Sequence, residues 1–309
     1  MTIDSHPPAA PTLLTGATGF VGGALLERLL ETRGLRALVR DPSKLDERPG
    51  LEVVEADLTR PDTLGPALDG AGVAYYLVHS MEAGTTGFAD QDRESARNFA
   101  AAARTAGLRR IVYLGGVMPA DEDADGESEH LRSREEVEQI LSSGAPEFVS
   151  LRASMLVGAG SESFRTLVQL VARLPVLALP SWRDSRSQPV AIDDAIEALV
   201  AAATVEPGVY EIAGADTLSF ERMTEVVAEL LGKPHRALAL PFTNSKLEGL
   251  ASAVVTDSDV ELLEPLLAGL HQDLLVAENS LGPVFGVAPT PFREAAGNAI
   301  DGMRVAATV

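Results

Sequence analysis

The stretch TGATGFVG, residues 15–22, decides the fold because it joins the first apolar run of the chain to the first helical pattern. Thr12–Thr15 is predicted to be a short strand. Val21, Leu25 and Leu29 then recur at helical spacing and share one helix face. The segment therefore predicts a strand, a tight glycine turn and a helix in direct succession.

Three glycines give this turn its chemical meaning. Gly16 permits the tight turn, Gly19 lets the backbone approach a pyrophosphate, and Gly22 allows the helix to pack against the strand. The start of the helix then offers free N–H groups to the phosphates. The spacing is G-x-x-G-x-x-G, and in this strand–turn–helix context it predicts a dinucleotide site. Other residues predicted to contact the cofactor in this turn are Thr18, Phe20 and Val21.

Strand and helix patterns alternate along the first half of the chain. Apolar runs predict further strands at Leu35–Val39, Leu51–Glu55, Val73–Val78, Arg110–Leu114, Phe148–Arg152 and Val209–Ile212. Helical patterns follow Pro61 and occupy Ala89–Ala106, Glu129–Leu141, Ser163–Ala172 and about Asp194–Ala203. Such alternation with short connections predicts a parallel sheet covered by helices on both faces. The predicted fold is a Rossmann-like, doubly wound α/β domain.

The pattern loosens after residue 155, which predicts a division of the chain. Residues 1–10 are interpreted as a flexible tail, 11–155 as the nucleotide-binding core, and 156–309 as a smaller, mostly helical lobe interleaved with that core. Asp193 and Asp194 open a helix of this lobe, and we expect them to cap it.

Composition limits the possible functions. A formal net charge of −20 would repel phosphate backbones and anionic lipids, so neither a nucleic acid nor a membrane is expected as partner. The chain has no cysteine, which excludes disulfides and thiolate chemistry, and His235 and His271 lack ligand-type neighbours, so no metal is expected. The first ten residues do not resemble a signal peptide, which favours a cytoplasmic protein. The sequence leaves a monomer and a homodimer both open.

The ends of the second and third strands bear on cofactor preference. An acidic residue at the end of the second strand would hold the ribose 2′-hydroxyl of NAD, whereas an arginine suits the 2′-phosphate of NADP. Arg40 occupies that place and Lys44 can add charge, while Asp41 could cap the turn instead. NADP is therefore favoured, with NAD possible. Asp57 and Leu58, after the third strand, are placed to meet the adenine ring.

At this point the sequence resembles a known family. The segments TGATGFVG, VRDPSK, ADL, YYLVHSM, RIVYLGG, SEHLRSR and LRASMLVGAGS, with QPVAIDDAIEAL and GVYEIAG later, look like the atypical short-chain dehydrogenase/reductase group of NAD(P)H-binding, NmrA-like proteins. The resemblance covers roughly residues 12–235. It implies a Rossmann-like sheet with NAD(P)H across the carboxyl ends of the strands. Some members of the group reduce small molecules, and others sense the nicotinamide pool.

The chain departs from the family's usual catalytic residues. Typical short-chain reductases place a serine after the fifth strand and Tyr-x-x-x-Lys on the next helix, but here Gly115–Gly116 follows the strand. His130 and Arg134 occupy the places of the tyrosine and lysine. Histidine titrates near neutral pH, so His130 could donate a proton, and Arg134 could bind ribose hydroxyls or an anionic substrate group. The alternative is a structural role for both.

A second group of candidates lies at the end of the fourth strand, where ligands of parallel sheets bind. His79 is the rival candidate for the proton donor, and it should also lie with Val78 and Ser80 beside the cofactor. Tyr76 and Met81 are predicted to face the substrate.

Four further residues are assigned from their position in the chain. Ser154 and Met155, after the sixth strand, should border the nicotinamide, and Trp182 and Arg183 in the proline-rich stretch are candidates for the substrate pocket. The preferred interpretation is an NADP-preferring oxidoreductase that transfers hydride between nicotinamide and a small organic carbonyl or activated alkene. The alternatives are a catalytically silent NAD(P) sensor and, less favoured, a nucleotide-sugar epimerase.

Overall fold

The structure is a computed structural model, and it describes residues 10–31, 34–79, 88–118, 129–174, 177–179, 181–235, 237–239 and 272–306. Seven strands form the central sheet: β1 Thr12–Thr15, β2 Leu35–Val39, β3 Leu51–Glu55, β4 Val73–Tyr76, β5 Arg110–Gly116, β6 Glu147–Ala153 and β11 Gly208–Ile212. Shorter strands are β7 Leu156–Val157, β8 Leu177–Leu179, β9 Arg186–Ser187, β10 Val190–Ala191, β12 Leu218–Ser219 and β13 Ala237–Ala239.

Helices connect these strands and cover the sheet. They are α1 Phe20–Leu30, α2 Leu64–Leu68, α3 Phe88–Ala106, α4 Glu129–Leu141, α5 Glu162–Arg173, α6 Ile192–Ala201, α7 Phe220–Leu230 and α8 Phe292–Ala306. In the part of the chain that the structure describes, every helix is too short or too polar to cross a lipid bilayer.

The central sheet is parallel throughout and has the order β11-β6-β5-β4-β1-β2-β3. The chain adds β2 and β3 on one side of β1, and then β4 and the later strands on the other side. The reversal of strand order between β1 and β4 is the switch point at which such sheets bind ligands. Thr15, the last residue of β1, is level with Leu38, while Leu14 pairs with Tyr75 of β4. The turn after β1 therefore lies between the ends of β2 and β4. The predicted Rossmann-like fold is confirmed.

Helices lie on both faces of the sheet because its strands are apolar on both sides. On one face, Leu25 and Leu29 of α1 and Leu199 of α6 belong to one buried cluster with strand residues. On the other face, Phe99 of α3 and Leu141 of α4 are fully buried in a second cluster. Complete burial of one such leucine stabilises the fold by about 2 kcal/mol.

A third apolar cluster holds the C-terminal lobe together. It is formed by α5, α7 and α8, and the rings of Phe164 and Phe292 meet edge to face with centroids 6.3 Å apart. The helix that was expected to begin at Asp194 begins at Ile192, after Ala191. The expected aspartate cap is wrong, because the Asp194 carboxylate is buried and accepts hydrogen bonds from Thr290 N at 2.7 Å and Thr290 Oγ1 at 2.9 Å.

Candidate functional site

The turn between β1 and α1 has no room for side chains at two of its glycines. Gly16 has a φ of +72°, and a Cβ there would lie 2.6 Å from the carbonyl oxygen of Leu77. A Cβ at Gly22 would lie 2.0 Å from the carbonyl oxygen of Gly16. The Gly19 N–H donates to that same carbonyl at 2.9 Å and closes the turn. Glycine is therefore required at these positions for steric reasons.

The start of α1 offers backbone donors at this turn. Gly19 is the N-cap residue in extended conformation and has no side chain with which to cap the helix. The first turn of α1 carries no acidic residue. The first amides of a helix lack intrahelical partners and carry its positive dipole end, so this helix start suits an anion.

A cavity of about 270 Å³ runs past the glycine turn, from the end of β2 to the end of β4. Its walls include eight of the residues predicted to hold the cofactor: Gly16, Thr18, Gly19, Arg40, Asp57, Leu58, Val78 and His79. Sequence reasoning missed the other wall residues, namely Thr15, Leu38, Val39, Ala56, Thr59, Leu77, Gln91 and Ser95. Several of these flank strand ends that the sequence did identify, but Gln91 and Ser95 reach the cavity only through the packing of α3.

The end of β3 forms one wall of the cavity. Asp57 Oδ1 accepts hydrogen bonds from Thr59 N at 2.9 Å and Thr59 Oγ1 at 2.8 Å. Burial pushes the pKa of Asp57 upward, but these bonds and the charge of Arg40 hold it below its usual value. The Asn98 side chain of α3 donates to the Leu58 carbonyl oxygen at 2.9 Å, which fixes this wall against the helix layer.

The end of β2 brings an arginine to the cavity and turns the neighbouring carboxylate onto its own loop. Asp41 Oδ1 accepts from Ser43 N at 3.0 Å and Ser43 Oγ at 2.6 Å, which lowers the pKa of Asp41. Arg40 lines the cavity. Lys44 ends the 3₁₀ turn Pro42–Lys44, is exposed, and lies outside the cavity wall.

His79 lies at the opposite end of the cavity and is paired with a buried carboxylate. Its Nδ1 is 2.6 Å from Asp92 Oδ2, and the two side chains are 18% and 4% exposed. Burial lowers the pKa of His79 most strongly, the hydrogen bond to Asp92 opposes this, and the positive charge of Arg134 lowers the pKa further. The net result is a pKa below the usual value of histidine, which favours the neutral ring.

Arg134 approaches His79 from α4. Its Nε atom is buried and has no hydrogen-bond partner among the described residues. The hydroxyl of Tyr113 on β5 donates to the Arg134 carbonyl oxygen at 3.2 Å and anchors α4 to the sheet. Arg134 does not belong to the cavity wall itself. His130 lies one turn earlier on α4, but its side chain falls outside the described residues.

Tyr76 occupies a different place from the one predicted. The expectation that it faces the substrate is wrong, because its side chain is fully buried between the sheet and α3. Its ring meets that of Phe99 with centroids 5.1 Å apart, and Tyr113 lies 6.3 Å away. Burial raises the pKa of both tyrosines, so each hydroxyl stays protonated inside the core.

Phe20 and Val21, also predicted to contact the cofactor, pack against other parts of the protein. The ring of Phe20 packs on the loop after β7, since a Cβ at Gly158 or Gly160 would lie 2.7 Å from that ring. Val21 packs against the buried cluster beneath α1. Both residues lie outside the cavity wall.

The candidates after the sixth strand are engaged elsewhere. Ser154 Oγ donates to the Gln188 carbonyl oxygen at 2.6 Å, and Met155 packs against the cluster of the C-terminal lobe. Arg183 Nη1 lies 3.8 Å from Glu221 Oε2 on α7. Like the side chain of His130, Ser80, Met81 and the side chain of Trp182 lie outside the described residues.

The cavity fits a dinucleotide. A glycine-rich turn, a helix start with open amides and a cavity of mixed polar and apolar lining between strand ends are features that suit a pyrophosphate flanked by two nucleosides. The lack of space for a Cβ at Gly16 and Gly22 shows how closely the turn packs on Leu77 and on the first turn of α1.

Comparison with known proteins agrees with this geometry. A family model described as NAD(P)H-binding matches residues 16–167. A ceramide reductase of Caulobacter vibrioides is 32% identical over 236 residues, which make up 74% of this chain and 73% of that protein. A (4-alkanoyl-5-oxo-2,5-dihydrofuran-3-yl)methyl phosphate reductase of Streptomyces griseus is 27% identical over 296 residues, 91% of this chain and 95% of the relative.

A solved structure extends the likeness to the whole fold. An NADPH-dependent quinone oxidoreductase of Escherichia coli, complexed with NADPH, superimposes with a TM-score of 0.74 at 21% identity. The match covers 94% of this chain and 99% of that one, and at such identity it supports the fold alone. The family model and the sequence relatives show that the chain belongs to the NAD(P)H-binding family of atypical short-chain dehydrogenases/reductases.

Proposed function

We propose that this protein is an NADPH-preferring oxidoreductase that acts on a small organic carbonyl or activated alkene. The observation that carries the proposal is the glycine turn, whose cavity leads from Arg40 at one end to His79 at the other. The nicotinamide of a bound cofactor supplies or accepts hydride. Two relatives that span most of this chain are named reductases, which supports the same class of reaction.

The preference for NADPH rests on the end of β2. Arg40 lines the cavity where the adenosine ribose of a dinucleotide would lie, and its guanidinium suits a 2′-phosphate. A carboxylate that binds the 2′-hydroxyl of NAD would have to come from the same strand end, but Asp41 Oδ1 is taken by Ser43. Lys44 is exposed nearby and would add positive charge to this end.

The chemistry at the other end of the cavity is assigned to His79 and Arg134. Negative charge develops on the substrate oxygen during reduction, and a fixed positive charge nearby lowers its energy. The guanidinium of Arg134 would supply that charge, and its buried Nε has no partner among the described residues. His79 would exchange the proton. Burial lowers its pKa, so the population of its protonated form rises as the pH falls. His130 remains a candidate from the preceding turn of α4.

A sensor that binds NADPH without turnover is the second candidate function. The observation that favours it is Gly115–Gly116 at the end of β5, where the family usually has serine, together with two tyrosines that are locked in the core. Such a protein would use the same cavity and the same glycine turn.

Two measurements separate these functions. NADPH and NADH are titrated into the full-length protein, and binding is followed by cofactor fluorescence. NADPH consumption is then measured with aldehydes, ketones and enones. The enzyme hypothesis expects tighter binding of NADPH than of NADH, and turnover of at least one carbonyl or enone. Tight binding with no turnover across all three compound classes would favour the sensor, and no binding of either coenzyme would refute both.

A further inference from the structure

The carboxylate of Asp92 is buried behind the cavity, and it lines no part of the cofactor site described above. Asp92 lies near the start of α3, and its side chain is 4% exposed. Its neighbours on the helix, Gln91 and Ser95, line the cavity, but Asp92 does not. Burial of a carboxylate costs free energy unless the charge is compensated, so its presence here needs a reason.

Among the described contacts of Asp92, the shortest is to His79. Asp92 Oδ2 lies 2.6 Å from His79 Nδ1, a distance typical of a strong, charge-assisted hydrogen bond. Ser133 Oγ on α4 donates to the same oxygen at 3.4 Å, which is a much weaker bond. Three elements of the fold, namely α3, α4 and the end of β4, therefore meet at this one carboxylate.

The chemistry of this pair sets the tautomer of the imidazole. An ionised carboxylate only accepts hydrogen bonds, so Nδ1 must carry the proton that lies between the two groups. Neutral His79 then has its lone pair on Nε2, at the far side of the ring from Asp92. Because His79 lines the cavity and its side chain is 18% exposed, Nε2 is the nitrogen that can exchange a proton with a ligand there.

The charges around His79 come from several elements. Asp92 on α3 favours the protonated ring, and Arg134 on α4 disfavours it. Tyr76 on β4 and Tyr113 on β5 share this interior region and remain neutral, since burial raises the pKa of both. The carboxylate is therefore the group that orients the ring, whichever protonation state His79 adopts.

We propose that Asp92 is a positioning residue that holds His79 with the proton on Nδ1 and presents Nε2 to the substrate end of the cavity. The orientation rests on the geometry of this pair, while its use in proton exchange rests on the proposed function. In the direction of reduction, protonated His79 gives the Nε2 proton to the substrate oxygen and returns to the neutral tautomer that Asp92 stabilises. In the opposite direction, Nε2 accepts the hydroxyl proton.

The tautomer is measured directly by nuclear magnetic resonance, without cofactor or turnover. The full-length protein is labelled with ¹⁵N at histidine, and the His79 signals are assigned as those absent from His79→Gln. A ring nitrogen without a proton resonates far downfield of a protonated one. The expected result for the wild-type protein at pH 7 is a protonated Nδ1 and an unprotonated Nε2. The reverse pattern, or an even mixture of tautomers, would overturn the proposal.

Asp92→Asn is the variant that tests the cause. The amide is similar in size but can donate as well as accept, so the Nδ1–H tautomer should lose its dominance. Glu138→Gln is the matched control, because Glu138 is also a buried carboxylate but pairs with Arg152 on the sheet, at 2.6 Å. His79 signals that stay unchanged in Asp92→Asn, or that change equally in both variants, would contradict a specific role for Asp92.

Turnover adds the functional readout if the protein is an enzyme. For NADPH consumption, Asp92→Asn should lower kcat at least about tenfold, shift the alkaline limb of the pH profile to lower pH, and leave the dissociation constant of NADPH unchanged. Asp92→Glu should partly restore both the tautomer and kcat. A loss of NADPH affinity with an unchanged pH profile would assign Asp92 to the fold instead. If no substrate is turned over, the proposed function fails, and the tautomer measurement still decides the orientation.

Discussion

The variant Gly22→Ala, which adds one methyl group, tests whether close packing in the glycine turn is needed for stability and for NADPH binding. The added Cβ of Gly22→Ala would lie 2.0 Å from the Gly16 carbonyl oxygen, about 1.4 Å closer than ordinary contact. Both groups belong to backbone, so α1 or the turn must move. Such overpacking costs about 1–3 kcal/mol of stability. The displaced amides would also lose at least one charge-assisted bond to the pyrophosphate, which weakens NADPH binding by about tenfold or more.

The neighbouring residue supplies the matched control. A Cβ at Gly23 would lie 3.6 Å from the Ala17 carbonyl oxygen, which is ordinary van der Waals contact. Since Gly23 is inside α1, Gly23→Ala should stabilise the fold by about 0.5–1 kcal/mol and leave the affinity for NADPH within about twofold.

The assay combines urea unfolding with NADPH titration for both variants. The reasoning is refuted if folded Gly22→Ala binds NADPH as tightly as the wild type. It is equally refuted if Gly23→Ala weakens binding as much as Gly22→Ala does.

Three further predictions test other parts of the molecule. Arg40→Ala should weaken NADPH binding about tenfold and leave NADH binding unchanged, whereas substitution of Arg109, an exposed arginine at the amino end of β5, by alanine should change neither. Equal losses for both coenzymes would disprove a 2′-phosphate contact. The pKa of His79 is lower in the folded protein than in the unfolded chain, so the unfolded chain takes up a proton first as the pH falls below about 6.5, and the free energy of unfolding declines from there downward. Between about pH 7 and about pH 5.5, the urea midpoint of the wild type should therefore drop more than that of His79→Gln. Equal drops of the two midpoints would contradict this. Asp194→Ala should lower the free energy of unfolding by about 2 kcal/mol, because Thr290 loses both of its hydrogen bonds to the carboxylate, and it should leave the affinity for NADPH unchanged. An unaltered urea midpoint would show that these bonds do not stabilise the fold.

The order of strands and helices was predictable because each depends on local patterns. The run Leu51–Glu55 forms a strand with the predicted bounds, and the glycine turn lies where its spacing indicated. The boundaries that shifted lie where the local signal is ambiguous. The fourth strand was expected to continue to Val78, but it ends at Tyr76 and the chain then turns to line the cavity.

The orientation of side chains at strand ends was harder to predict. Tyr75 and Tyr76 point to opposite faces of the sheet, and both are buried because helices cover both faces. The hydroxyl of Tyr75 reaches the Leu199 carbonyl oxygen on α6 at 3.1 Å, while Tyr76 packs against Phe99. A strand that ends near the ligand therefore still buries its last residues, and the ligand meets the residues that follow.

The cofactor cradle could be inferred from eight consecutive residues, because the steric demands of a tight turn and a close helix act within that short span. The pairing of His79 with Asp92 and that of Asp194 with Thr290 could not, since each joins segments that meet only after the helices dock on the sheet. Neighbouring residues determine the local backbone conformation. Burial, hydrogen-bond partners and the resulting pKa values depend on distant segments, and these emerge only from the packed molecule.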